Sequence, residues 1–118
     1  MAQMNLTGFG YNEVITKTGA YTVVAADSGT VINVTATATI TLPATVVCIV
    51  AIIRVGADGI TVTVAPNVSD NIYGAQLTAV DNKALIFTNA PAGSFVRLIA
   101  DGTVAGGWAI ESLNAGGN

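Results

Sequence analysis

The chain has 118 residues, 52% of them hydrophobic and 9% charged, with seven acidic and four basic side chains, no histidine, one cysteine and a formal net charge of −3. That composition excludes a Ser-His-Asp triad, a conventional structural zinc site and an internal disulfide, and it leaves too little polar surface for an ordinary lone monomer. Lys17, Arg54, Lys83 and Arg97 are scattered singly, so neither a clustered phosphate-binding surface nor a nucleic-acid partner is expected.

In chain order, residues 1–11 come first. They carry neither the basic segment nor the apolar run of a secretory signal. Met4, Leu6, Phe9 and Tyr11 alternate there with Asn5, Thr7, Gly8 and Gly10 without a helical period, so residues 1–18 are predicted to be an N-terminal arm and residues 19–118 one β-sandwich domain. The four large apolar groups read either as a frayed end or as anchors resting on this domain, a sister subunit or a partner.

From Ala20 onward strand signals dominate, and strands are predicted near 20–26, 30–36, 38–42, 47–55, 59–65, 76–80, 84–89, 94–100 and 107–112. Alternation is cleanest from Val31 to Leu42, where Ile32, Val34, Ala36, Ala38, Ile40 and Leu42 share one parity and Asn33, Thr35, Thr37, Thr39 and Thr41 the other. One face is therefore apolar and one hydroxylated, as in a strand half against a core. Closely spaced turn signals, among them Asp27-Ser28-Gly29, Asp58-Gly59, Pro91-Ala92-Gly93 and Asp101-Gly102, favour a single all-β, jelly-roll-like sandwich. Arg54–Gly59 and Arg97–Gly102 echo each other, a likeness that two good hairpin turns account for without duplication.

The 47–55 strand is apolar on both parities, with Val46, Cys48, Val50 and Ile52 on one and Val47, Ile49, Ala51, Ile53 and Val55 on the other. A strand of a two-layer fold with no polar face needs a second cover, either a neighbouring subunit or the chain's own arm or a long loop. With the neighbour as cover, Val47, Ile49, Ala51 and Ile53 face outward as a subunit interface. Cys48 reads as a buried small hydrophobe. The eight-residue apolar stretch 46–53 is far shorter than the roughly 20 residues of a membrane-crossing helix, and no membrane partner is expected.

Candidate chemistry is sparse. Asp27, Asp58, Asp70, Asp81 and Asp101 fall in predicted turns, where Asp serves local backbone hydrogen bonding, and Ser28, Ser69, Ser94 and Ser112 lie in or beside turns with no base to activate them. Asp70-Asn71 or Asp58 could hold calcium only by gathering carboxylates from separate loops. Trp108 reads as a core residue of the last strand or as a ligand-stacking aromatic, the core reading being favoured. The sequons at Asn5, Asn33 and Asn67 arise readily in a Thr-rich chain, and Asn33 is placed mid-strand. Neither catalysis nor a cofactor is expected.

Several phrases in order complete the reading: Gly19-Ala20-Tyr21-Thr22-Val23 before Ala26-Asp27-Ser28-Gly29-Thr30, Ala38-Thr39-Ile40-Thr41-Leu42-Pro43-Ala44, Asp58-Gly59-Ile60-Thr61-Val62 with Ala65-Pro66, Asp70-Asn71-Ile72-Tyr73-Gly74, Gly93-Ser94-Phe95-Val96-Arg97-Leu98, and Asp101-Gly102 with Gly107-Trp108. Together, over residues 19–112, they resemble a compact β-module of tailed-bacteriophage capsid decoration (cement) proteins and fibre-associated domains. The resemblance implies a virion structural protein on the outer capsid surface, trimeric, without cofactor, and bound to the major capsid protein. On that reading Met4, Leu6, Phe9 and Tyr11 form a capsid-docking arm. The alternative it leaves open is a receptor- or glycan-binding head of a tail fibre, which calls for solvent-facing aromatics such as Tyr73, Tyr11 or Trp108.

Overall fold

The computed structural model describes residues 13–45, 49–67, 70–74, 84–100 and 107–114. Ten strands run β1 (Glu13–Lys17), β2 (Tyr21–Thr22), β3 (Thr30–Val34), β4 (Ala38–Thr41), β5 (Ile49–Val55), β6 (Ile60–Ala65), β7 (Asn71–Tyr73), β8 (Leu85–Ala90), β9 (Phe95–Ala100) and β10 (Gly107–Asn114), with a 3-10 turn at Ala25–Asp27. They form two sheets: sheet A in the order β1-β3-β5-β9-β10-β7 and sheet B in the order β2-β4-β6-β8. The all-β sandwich expected from the sequence is present.

Its connectivity is not that of an antiparallel jelly roll. The chain alternates between the sheets from β1 to β6, so β1, β3 and β5 stack in parallel in sheet A while β2, β4 and β6 stack in parallel in sheet B. Parallel neighbours need a crossover of a dozen or more residues. Here each crossover is a strand of the opposite sheet, and Val14 pairs with Val31, and Val31 with Ile52, at steps of 17 and 21 residues. The N-terminal half is thus a flattened coil of three turns. The C-terminal strands close it: β8 runs antiparallel to β6, β9 antiparallel to β5, β10 antiparallel to β9, and β7 parallel to β10 at the far edge.

Strand β1 lies in the segment predicted as arm, and it forms the edge of sheet A. Its Ile15 pairs with Ile32 and packs against the core, while Glu13 and Lys17 put charge on the exposed edge, which discourages edge-to-edge pairing with other chains. Met4, Leu6, Phe9 and Tyr11 lie outside the described residues, as do the predicted 76–80 strand, Cys48, Asp81 and Asp101.

The core lies between the sheets. Sheet A contributes Ile32, Val34, Ile49, Ala51, Ile53, Val55, Ile72, Val96, Leu98, Ala100 and Trp108, and sheet B contributes Val23, Ile40, Leu42, Val62, Val64, Phe87 and Ala90. The dense β-branched content suits both roles: such side chains are stiff at χ1 and pack well on a pleated surface. Turn chemistry is local and legible. Gly59 (φ 78°) follows Asp58 in the β5–β6 turn and Gly93 (φ 99°) ends the Pro91-Ala92-Gly93 turn, both in the left-handed region that glycine reaches without a Cβ clash. Asn89 (φ 48°) takes the same conformation where the β6–β8 register shifts between Ile60 and Val62.

The predicted subunit interface is corrected by this packing. Ile49, Ala51 and Ile53 are 2%, 1% and 0% exposed and belong to the core between the sheets, so they cannot face a neighbour; Val47 lies outside the described residues. The outward parity of β5 is Val50, Ile52 and Arg54. Arg54 decides it, because a guanidinium on that parity could not be turned into an apolar core without an ionic partner.

Candidate interaction surface

The polar side chains near the turns are engaged in holding the backbone. Asp27 Oδ2 accepts hydrogen bonds from the Val24 N–H (3.0 Å) and the Tyr21 hydroxyl. Asp58 Oδ1 accepts from the Ala92 N–H at 2.8 Å, tying the β5–β6 turn to the β8–β9 turn, and Asp70 Oδ2 accepts from the Thr45 N–H at 3.2 Å. Ser28 Oγ accepts from the Val50 N–H, and Ser94 Oγ donates to the Pro91 carbonyl. Ser112, expected beside a turn, sits exposed within β10. The hydrogen bond to Asp27, with lesser contributions from burial and from the Asp27 charge, raises the Tyr21 hydroxyl above its ordinary pKa. Lys17 Nζ lies 4.1 Å from the centre of the Tyr21 ring, so Lys17, Tyr21 and Asp27 form a clamp across the first turn of the coil.

Among the described residues no three His, Cys, Asp or Glu side chains converge as a metal site would require, and no helix is long and apolar enough to cross a membrane. Of the aromatics considered as ligand contacts, the two that are described are also committed. Trp108 is fully buried in the core, as the sequence favoured, and its indole N–H meets no acceptor among the described residues. Tyr73 lays its ring across Gly107 on the neighbouring strand, in the space a Cβ would need, and its hydroxyl accepts from Asn71 Nδ2 at 3.1 Å.

Among the described residues, the two outward sheet faces remain to meet a partner, and they differ in chemistry. All five charged side chains on described strands belong to sheet A: Glu13, Lys17, Arg54, Arg97 and Glu111. On its outward face Arg54 Nε donates to Asn33 Oδ1 at 2.9 Å across the β3–β5 pair, and Arg97 pairs with Glu111. Between these polar groups lie Val31 and Ile52, register partners that are only 5% and 7% exposed although outside the inter-sheet core. Arg97 is in register with Ile52 on its other side, where its aliphatic stem adds cover.

Sheet B has no charged residue on β2, β4, β6 or β8. Its inward parity is Ala38, Ile40, Ile60, Val62, Val64 and Phe87, which leaves a threonine face outward. Thr22 is in register with Thr41 and Thr39 with Thr63. At one end the Thr61 N–H donates to Thr37 Oγ1 and the Asn89 N–H donates to Thr61 Oγ1, both at 3.1 Å. Ile86 stands at the rim, 54% exposed. Sequence reading found the hydroxylated parity of β4 but not that it stacks on a second Thr-x-Thr strand, because that needs the parallel register.

Comparison with protein-family models, with characterised proteins and with solved structures returns no match, so the reading of function rests on the chain's own residues and on the phrase resemblance given above.

Proposed function

We propose that the chain is a capsid decoration protein, seated as a homotrimer on the outer surface of a phage head through contacts with the major capsid protein. The observation that carries this reading is the neutral, hydroxyl-bearing face of sheet B, an exposed sheet surface suited to protein contact. Depletion of charge is the compositional mark of an interface core. The ordered phrases support it too, since they fall on the elements that build the module: Ala38–Thr41 is β4, Asp58-Gly59 is the turn into β6, Asn71–Tyr73 is β7, and Phe95-Val96-Arg97-Leu98 opens β9.

The mechanism is binding energy. A cement that binds the assembled shell and not its free subunits stabilises the shell by mass action, and a trimer multiplies the effect because one seated protomer raises the effective concentration of the other two. The fibre-head alternative calls for free aromatics at a tip, whereas Tyr73 and Trp108 are engaged within the module.

Three measurements test the proposal. The purified protein should sediment with heads of the phage that encodes it, elute at three times the chain mass, and fail to adsorb to host cells. Adsorption to cells without sedimentation with heads would transfer the module to the fibre.

A further inference from the structure

On the decoration reading, we infer that the outward face of sheet B, centred on Thr39, Thr41 and Thr63, is the surface that seats on the shell, and that its partner is a flat, uncharged protein surface bearing hydroxyl or amide groups. Three observations converge. The strands of sheet B carry no charge, so no counter-ions or ion pairs need to be displaced from the face. Thr37 and Thr61 are already bonded to Thr61 N–H and Asn89 N–H, which fixes one end of the array, while no hydrogen bond among the described residues engages the hydroxyls of Thr22, Thr39, Thr41 and Thr63. Those side chains are β-branched and in register across parallel strands, so their rotamers are set before a partner arrives and little conformational entropy is lost on contact.

The size of the face argues against a second copy of this chain as its occupant. The four strands, of two, four, six and six residues and about 4.8 Å apart, cover roughly 300 Å². A stable pairwise interface needs about 800 Å² per partner, so a lone contact of this size is weak. It becomes strong when several are made at once, as for a symmetric oligomer on a repeating lattice. Sheet A is the less suitable seat: its outward polar groups are paired with one another, Arg54 with Asn33 and Arg97 with Glu111, and docking there would depend on salt.

The test uses the full-length protein and heads of the encoding phage stripped of it. Thr39→Lys, at an exposed position, should weaken sedimentation with heads at least tenfold without changing the oligomer. Thr16→Lys on sheet A should leave it unchanged, and Thr39→Ser should stay within threefold of the parent. Attachment of the parent should vary less than threefold between about 50 and about 500 mM salt, a range over which exposed charges become screened. If the parent itself does not bind heads, the decoration reading fails and this inference with it. If the parent binds and Thr39→Lys binds equally, the seat is elsewhere. Dissociation of the oligomer by Thr39→Lys would make the face a contact between copies and overturn the inference, as would a steep loss of parent binding with salt.

Discussion

Sheets A and B share one core but treat the outside differently. Sheet A, six strands wide, keeps the charges of the described strands and pairs Arg54 and Arg97 with its own residues, and it buries Val31 and Ile52 even on its outward side. Sheet B, four strands wide, turns stiff hydroxylated side chains outward and has no charge at all on its strands. A sheet that satisfies its own polar groups is a scaffold. On the proposed reading, the open hydroxyls of sheet B are the surface that a partner covers.

The largest effects should separate inward from outward positions. Ile53→Asp places a carboxylate in a site with no exposure and no cationic partner, and the cost should exceed the roughly 5–15 kcal/mol that holds a domain together, or a large part of it. The variant should be unfolded by circular dichroism, as should Ile49→Asp, whereas Thr39→Asp on sheet B should melt close to the parent. A folded Ile53→Asp protein that merely changed its oligomeric state would restore the outward parity that packing denies.

Next in size is Trp108, the largest of the fully buried side chains among the described residues. Trp108→Ala should cost about 3–5 kcal/mol by denaturant unfolding. Trp108→Phe should cost clearly less, because it removes an indole N–H that has no acceptor along with some volume. Equal losses for both would mean that the N–H has a partner and is not an orphan. Gly107→Val belongs beside these: a side chain there must displace the Tyr73 ring, so the near-ultraviolet signal of that tyrosine should change along with stability.

Much of the strand pattern was legible in the sequence, and the pairing was not. The alternation from Val31 to Leu42 and from Ile60 to Val64 reports which side chains go inward, because a strand's period is two whatever its neighbour. It says nothing about which strand lies alongside. The three turns of the coil do leave a trace, Val14-Ile15, Val31-Ile32 and Ile52-Ile53, followed by Thr-x-Thr at Thr39 and Thr41 and again at Thr61 and Thr63. The unequal steps of 17 and 21 residues hide it from a search at fixed period. Strand β1 escaped notice because Glu13 and Lys17 frame only three strand-forming residues. For β5 the apolar count was ambiguous, and the decisive residue was the single Arg54, whose parity marks the outside. The neutral face of sheet B was half legible, since β4 shows its threonines plainly while their alignment with those of β6 is a matter of long-range register.

Smaller effects concern the first turn of the coil and the rim of sheet B. Tyr21→Phe should cost less than about 1 kcal/mol at neutral pH, in line with one partly exposed hydrogen bond. The raised pKa of Tyr21 means that the neutral hydroxyl is favoured in the folded state. Its contribution is therefore complete below the ordinary tyrosine pKa of about 10 and is lost as pH rises through the higher folded value. Melting in the alkaline range should fall more steeply for the parent than for Tyr21→Phe; identical slopes would remove the Asp27 hydrogen bond from the account. Ile86→Thr, at an exposed rim position, should shift stability by no more than about 0.5 kcal/mol.

The contrast between the two sheets is tested most directly by electron cryo-microscopy of heads carrying the protein. The account predicts one trimer per site with the outward face of β4 and β6 against the shell and the outward face of sheet A in solvent. Density showing β3, β5 and β9 against the shell, with the threonine face open to solvent, would contradict it.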